Sequence, residues 1–216
     1  MIEGGKIDWA GHDNDAAAII MDMIDFDNAI GYALDFYQQF PDNTLIIVTS
    51  DHETGGLTTG INKNAYKSDF SIINYQGISL SRIVKTIKQL DQPSFMAILE
   101  TIQNDFFEKG FELTETEIEY LRTAYKHKYN RESISKEEFD RLYYVYCPIS
   151  ISCIRIINER ASVGFTSFHH TASAVPIFSK GNGAEKFGAY LDNTDIPKII
   201  KSIMEYSGKG ITEQNV

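Results

Sequence analysis

Six residues, Thr44–Thr49 (TLIIVT), constrain the fold of this chain more than any others. An unbroken apolar run of this length reads as a strand buried on both faces, as in parallel sheets covered by helices. It gives way at once to Ser50, Asp51, His52, Glu53, Thr54, Gly55 and Gly56. Polar, metal-capable side chains just past the carboxyl end of a buried strand lie where open α/β sheets hold their ligands. Upstream, Ile20, Met23, Ile24, Ile30, Ala33 and Leu34 recur at helical intervals, which predicts a crossover helix over residues 16–36. Met1 and Ile2 read as the last residues of an earlier strand, with Glu3 at its carboxyl end. Strand, loop, helix and strand compose one βαβ unit, so the fold class is α/β.

A second kind of sequence fills residues 63–160. Leu80, Ile83, Val84, Ile87 and Leu90 keep helical spacing, as do Met96, Leu99, Ile102 and Phe106, before Lys109 and Gly110 supply a stop. Thr114 with Glu117 and Ser135 with Glu138 are capping-box pairs, each leading into an apolar stripe. The chain therefore divides into an α/β segment at 1–62, an all-helical insertion at 63–160, and a return to α/β material at 161–216. With 216 residues, 43% of them hydrophobic, there is enough material for a real core. No stretch approaches the ~20 uninterrupted apolar residues of a membrane helix. Thirty acidic residues against 20 basic ones give a formal charge of -10, which disfavours nucleic acid as a partner. An anionic substrate would need locally supplied positive charge, and bound metal ions are the usual source in an acidic protein. Cys147 and Cys153 could bridge, or could be two small buried hydrophobes.

Asp8 and His12 stand four residues apart, so one helical turn or a compact loop aims both at a common point. Asp51 and His52 are adjacent at a strand end. His169 and His170 lie just ahead of a strand-like run, Ala174 to Phe178. Carboxylate plus imidazole is a ligand set suited to zinc, with open positions left for water and substrate. Each pair has a plainer reading: a capping pair, a turn, a packed histidine, and for Glu3 a solvated acid. Their joint occurrence favours a metal centre, since four of the five histidines fall at these places. His127, beside Lys126 and Lys128 on a helix, reads as solvent-facing. Ser50 is declined as a nucleophile because strand alternation points it away from Asp51.

At these residues the chain resembles the C-terminal half of bacterial alkaline phosphatases: EGGKIDWAGH (Glu3 to His12), VTSDHETGG (Val48 to Gly56), HTASAVPIF (His170 to Phe178) and DNTDI (Asp192 to Ile196). The resemblance implies a partial alkaline-phosphatase-like sheet flanked by helices, with two zinc ions and a magnesium at its edge. The resemblance further implies that a serine attacks a phosphate monoester to form a phosphoserine that water hydrolyses. Carried over by position, Asp8, His12 and His170 would complete the first zinc's protein set. Asp51 and His52 would belong to the second zinc, and Glu3 to the magnesium. The insertion would form a lid or crown. The family's nucleophilic serine, its shared aspartate and its phosphate-clamping arginine have no counterpart here, so the chain is expected to begin at an internal methionine and to be catalytically incomplete alone. It would then pair with the missing N-terminal half or form a homodimer, and the full-length protein would be periplasmic or extracellular. The competing expectation is a non-catalytic, metal-binding remnant or protein-interaction module.

Overall fold

The computed structural model describes residues 1–61, 67–130 and 133–209, with side chains through residue 205. The 62/63 segment boundary lies outside the described residues. In chain order the elements are α1 (Gly5–His12), α2 (Ala16–Gln39), β1 (Leu45–Val48), β2 (Glu53–Thr54), β3 (Thr58–Thr59), α3 (Leu80–Lys88), α4 (Phe95–Thr101), α5 (Glu115–Tyr129), α6 (Lys136–Tyr143), α7 (Pro148–Ala161), β4 (Val163–Gly164), β5 (His170–Thr171), β6 (Phe178–Gly181) and α8 (Asp195–Lys209). They form two compact units, one of Met1–Met23 with Thr54–Thr171, the other of Ile24–Glu53 with Ala172–Val216.

The first unit is built on α7. Ile149, Ile151, Ile154, Ile156 and Ile157 are all buried, as are the polar Ser150, Ser152 and Asn158, so this helix is enclosed on most sides and packs against α5 and α3. Pro148 opens it, where a missing N–H costs nothing. The Thr114–Glu117 pair forms the expected reciprocal capping box at the start of α5. At α6 Ser135 accepts from the Glu138 N–H. Helix α4 runs on through a wider π-type turn at Ile102–Phe106, which buries Phe106 and Phe107 together. Cys147 is half-buried and Cys153 buried, and both are free thiols. His127 differs from expectation. It is half-buried, with Nδ1 2.8 Å from the Tyr143 hydroxyl, because the next helix folds back over that face of α5.

One buried carboxylate organises the start of this unit. Asp15 is only 1% exposed. Its Oδ1 accepts from the Ala18 N–H, capping α2, and from Gln76 Nε2, while Oδ2 accepts from the Leu80 N–H that opens α3. Two helix N-termini far apart in sequence are thereby fixed to one side chain.

In the second unit the apolar run becomes β1, paired antiparallel with β6 in the register Leu45↔Gly181 to Val48↔Phe178. Strand β1 is half-buried throughout rather than sealed on both faces. A continuous apolar pattern reports tolerance of burial on each face, not the direction of the neighbouring strand. The strand expected over 174–178 instead occupies Phe178–Gly181, and Met1 and Ile2 are exposed and irregular, so the described residues do not form the βαβ unit. Along the part of α2 in this unit, Ile24, Tyr32 and Phe36 are exposed.

Replacing Asp15 with alanine strands two helical N–H groups and the Gln76 amide in the interior. The expected cost is about 2 kcal/mol or more of unfolding free energy, measured by urea denaturation.

Candidate metal centre

Two glycines make the site possible. Gly55 has φ +91°, and a Cβ there would sit 2.7 Å from the Gly11 carbonyl oxygen. A Cβ on Gly11 would stand 3.0 Å from the Thr54 carbonyl oxygen. Helix α1 therefore lies backbone against backbone on Thr54–Gly55. That approach lets Thr54 Oγ1 donate to Asp8 Oδ1 at 2.6 Å. Gly55 also straps down the loop that carries the histidines. Its N–H donates to the His169 carbonyl, and its own carbonyl accepts from the N–H groups of Thr166 and Ser167.

The loop in turn fixes His12, whose Nδ1 lies 2.7 Å from the Phe168 carbonyl oxygen. A carbonyl only accepts, so Nδ1 must carry the proton, and the proton-free face of the neutral ring is Nε2. That nitrogen stands 3.6 Å from Asp8 Oδ1, and His170 Nε2 stands 4.0 Å from the same oxygen. The two imidazole rings are 5.1 Å apart and tilted by 45°. Asp8 Oδ1 thus has two imidazole nitrogens close to it, a carboxylate and imidazole set of the kind that can hold a cation. Tetrahedral zinc, with bonds of about 2.0–2.2 Å, places neighbouring donors about 3.3–3.5 Å apart, close to the 3.6 Å between His12 Nε2 and Asp8 Oδ1 and short of the 4.0 Å between His170 Nε2 and that oxygen.

Of the residues expected from sequence, Asp8, His12 and His170 come together. His169 does not join them, and its ring instead meets Tyr144 edge-on at 5.1 Å. Glu3 lies outside the trio in the exposed lead-in to α1. Asp51 and His52 belong to the second unit, at the carboxyl end of β1, with Asp51 Oδ2 3.4 Å from His52 Nε2. Ser50 donates to the His52 carbonyl, as expected of a structural rather than nucleophilic hydroxyl. Thr54, the Phe168 carbonyl and the Tyr146 hydroxyl, which donates to the His12 carbonyl at 2.8 Å, all position the trio. Only Thr54 had any sequence signal, its place between Asp51 and Gly55.

The alkaline phosphatase family model matches residues 1–206. The chain belongs to the alkaline phosphatase family. Alkaline phosphatase 3 of Bacillus subtilis is 32% identical over 97% of this chain and 40% of its own length. The repressible alkaline phosphatase of Saccharomyces cerevisiae is 25% identical over 99% of this chain and 38% of its own. Among solved structures, a cold-active alkaline phosphatase from a psychrophilic Shewanella species superposes with a TM-score of 0.70 at 30% identity, over 93% of this chain and 44% of that one. The chain thus spans about 40% of the length of the curated relatives it matches. Family membership accounts for the α/β fold.

Beside α1, Lys6, Trp9, Asp13, Asp22 and Gln76 line an open cleft of about 480 Å³. Burial, reinforced by the carboxylate of Asp15, pushes the Asp13 carboxyl up to about 6, against the smaller opposing effects of Tyr146 and His12. A carboxyl raised in the folded state binds its proton more tightly there than in the unfolded chain. Its stabilising contribution is complete below about pH 4 and is lost as pH rises through about 6. In metal-free buffer, Asp13→Asn should flatten the fall in unfolding midpoint over that window. Gly55→Ala should cost more than about 1 kcal/mol in urea denaturation, because a side chain at this φ also collides with Gly11.

Proposed function

We propose that this chain is the metal-holding portion of an alkaline phosphatase-type hydrolase of phosphate monoesters. The observation that carries this reading is the convergence of Asp8, His12 and His170, with the His12 tautomer fixed by a backbone carbonyl. Asp8, His12 and His170 would hold one zinc, Asp51 and His52 would contribute to a second, and Glu3 to a magnesium. Bound there, such ions would supply Lewis-acid polarisation of the phosphoryl oxygens and charge neutralisation that a chain of net charge -10 otherwise lacks. The chain's own residues keep the site in shape. Thr54 holds the Asp8 carboxylate, the Phe168 carbonyl keeps the proton of His12 on Nδ1, and the Gly55 strap carries His170 to Asp8.

The serine that would form a phosphoserine intermediate is proposed to come from polypeptide outside these 216 residues. That leaves the isolated chain catalytically incomplete. The exposed apolar residues Ile24, Tyr32, Phe36 and Phe178 favour association with that polypeptide or with a second copy. The working compartment would be periplasmic or extracellular, and the helical segment 63–160 would serve as a crown over the site. Among the described residues no helix is long and apolar enough to cross a membrane.

The purified chain should bind zinc near stoichiometrically, and His12→Ala should weaken that binding by at least about tenfold in a chelator competition. Co-expression with the N-terminal half of a bacterial relative should yield hydrolysis of p-nitrophenyl phosphate in zinc and magnesium. Stoichiometric zinc without any hydrolysis in the reconstituted protein would point to a metal-binding remnant instead.

A further inference from the structure

Helix α6 ends on a residue poorly suited to its place. Tyr144 has φ +51° and ψ -121°, a backbone conformation in which glycine is the ordinary choice at a helix end. Strained positions of this kind persist where their surroundings hold them, and they gather at working sites. The ring held by this strain reaches the histidine loop. It stacks on Phe168 at 5.8 Å with the planes 12° apart, and meets His169 edge-on. Tyr146, two residues on, packs on Phe168 at 5.1 Å, and its hydroxyl donates to the His12 carbonyl. The Phe168 carbonyl is the group that fixes the protonation of His12.

We propose that Tyr144 and Tyr146 are positioning residues for the metal centre: the helical insertion grips Phe168 and the His12 backbone through them, and so sets the aim of His12 Nε2. This rests on the reading of Asp8, His12 and His170 as metal ligands. Partners that orient a ligating imidazole through its second nitrogen tune metal affinity strongly. Tyrosine is suited to the task, since it combines a flat face for packing on Phe168 with a hydroxyl that reaches a backbone acceptor.

The test uses the full 216-residue chain, zinc as the probe, and two readouts. Tyr144→Gly removes the ring and also relieves the left-handed strain. It should lower zinc affinity by about tenfold or more while the unfolding midpoint of the metal-free chain does not fall. Tyr144→Phe should restore wild-type affinity. Tyr146→Phe, which removes a single hydroxyl, should weaken zinc in the same direction. In the metal-free chain, the slowly exchanging imidazole proton of His12 seen by NMR should be lost in Tyr144→Gly and kept in Tyr144→Phe. Affinity unchanged in both Tyr144→Gly and Tyr146→Phe, in a chain whose wild type binds zinc, overturns the proposal and leaves the metal site standing. A wild type that fails to bind zinc removes the metal reading itself, and an unaltered His12 proton in Tyr144→Gly then removes the positioning role too.

Discussion

The backbone contact between Gly11 and Gly55 is the constraint on which the candidate site depends. Any side chain at either position would hold α1 away from Thr54, and Asp8 would lose the hydroxyl that orients it. The same glycine ties down the segment from Thr166 to His169, so one close approach sets the positions of all three metal-capable side chains. Sequence motifs containing glycine are often read as flexible. Here the missing Cβ atoms serve rigidity, because only bare backbone can pack this tightly.

A second constraint is electrostatic. The chain is strongly acidic, yet its site gathers a carboxylate and two imidazoles whose electron pairs converge. Burial meanwhile raises the carboxyls of both Asp13 and Asp15 above their ordinary range. A carboxylate with two imidazole nitrogens close to it is a donor set suited to a cation, and the fixed tautomer of His12 leaves Nε2 as the ring's electron-pair donor. The metal reading therefore stands on chemistry in the chain as well as on family membership.

Much of this was legible in the sequence, though unevenly. Helices α3 to α6 announced themselves through capping pairs and 3.6-residue spacing, which are local properties, and α5 and α6 begin where Thr114 and Ser135 require. Asp8 and His12 were legible for the same reason, as one turn of α1 suffices to align them. The direction of β1 was not, because a run of Leu, Ile and Val is equally at home against parallel or antiparallel neighbours. His127 was misjudged because flanking lysines describe its own helix and say nothing of the tyrosine that α6 brings to it. The choice of His170 over His169 came from the family resemblance, whereas Phe168 required three dimensions, because its contribution is a carbonyl common to every residue type.

The division of labour between glycines and histidines has an evolutionary consequence. Gly11 and Gly55 answer to packing, so a descendant of this chain that lost either would carry a stability cost whether or not it held an ion. Asp8 and His12 touch that frame through hydrogen bonds to Thr54 and to the Phe168 carbonyl, and on the proposed reading their further role, with His170, is to hold an ion. Under that reading, a decaying paralogue would keep the glycine frame around an altered ligand set.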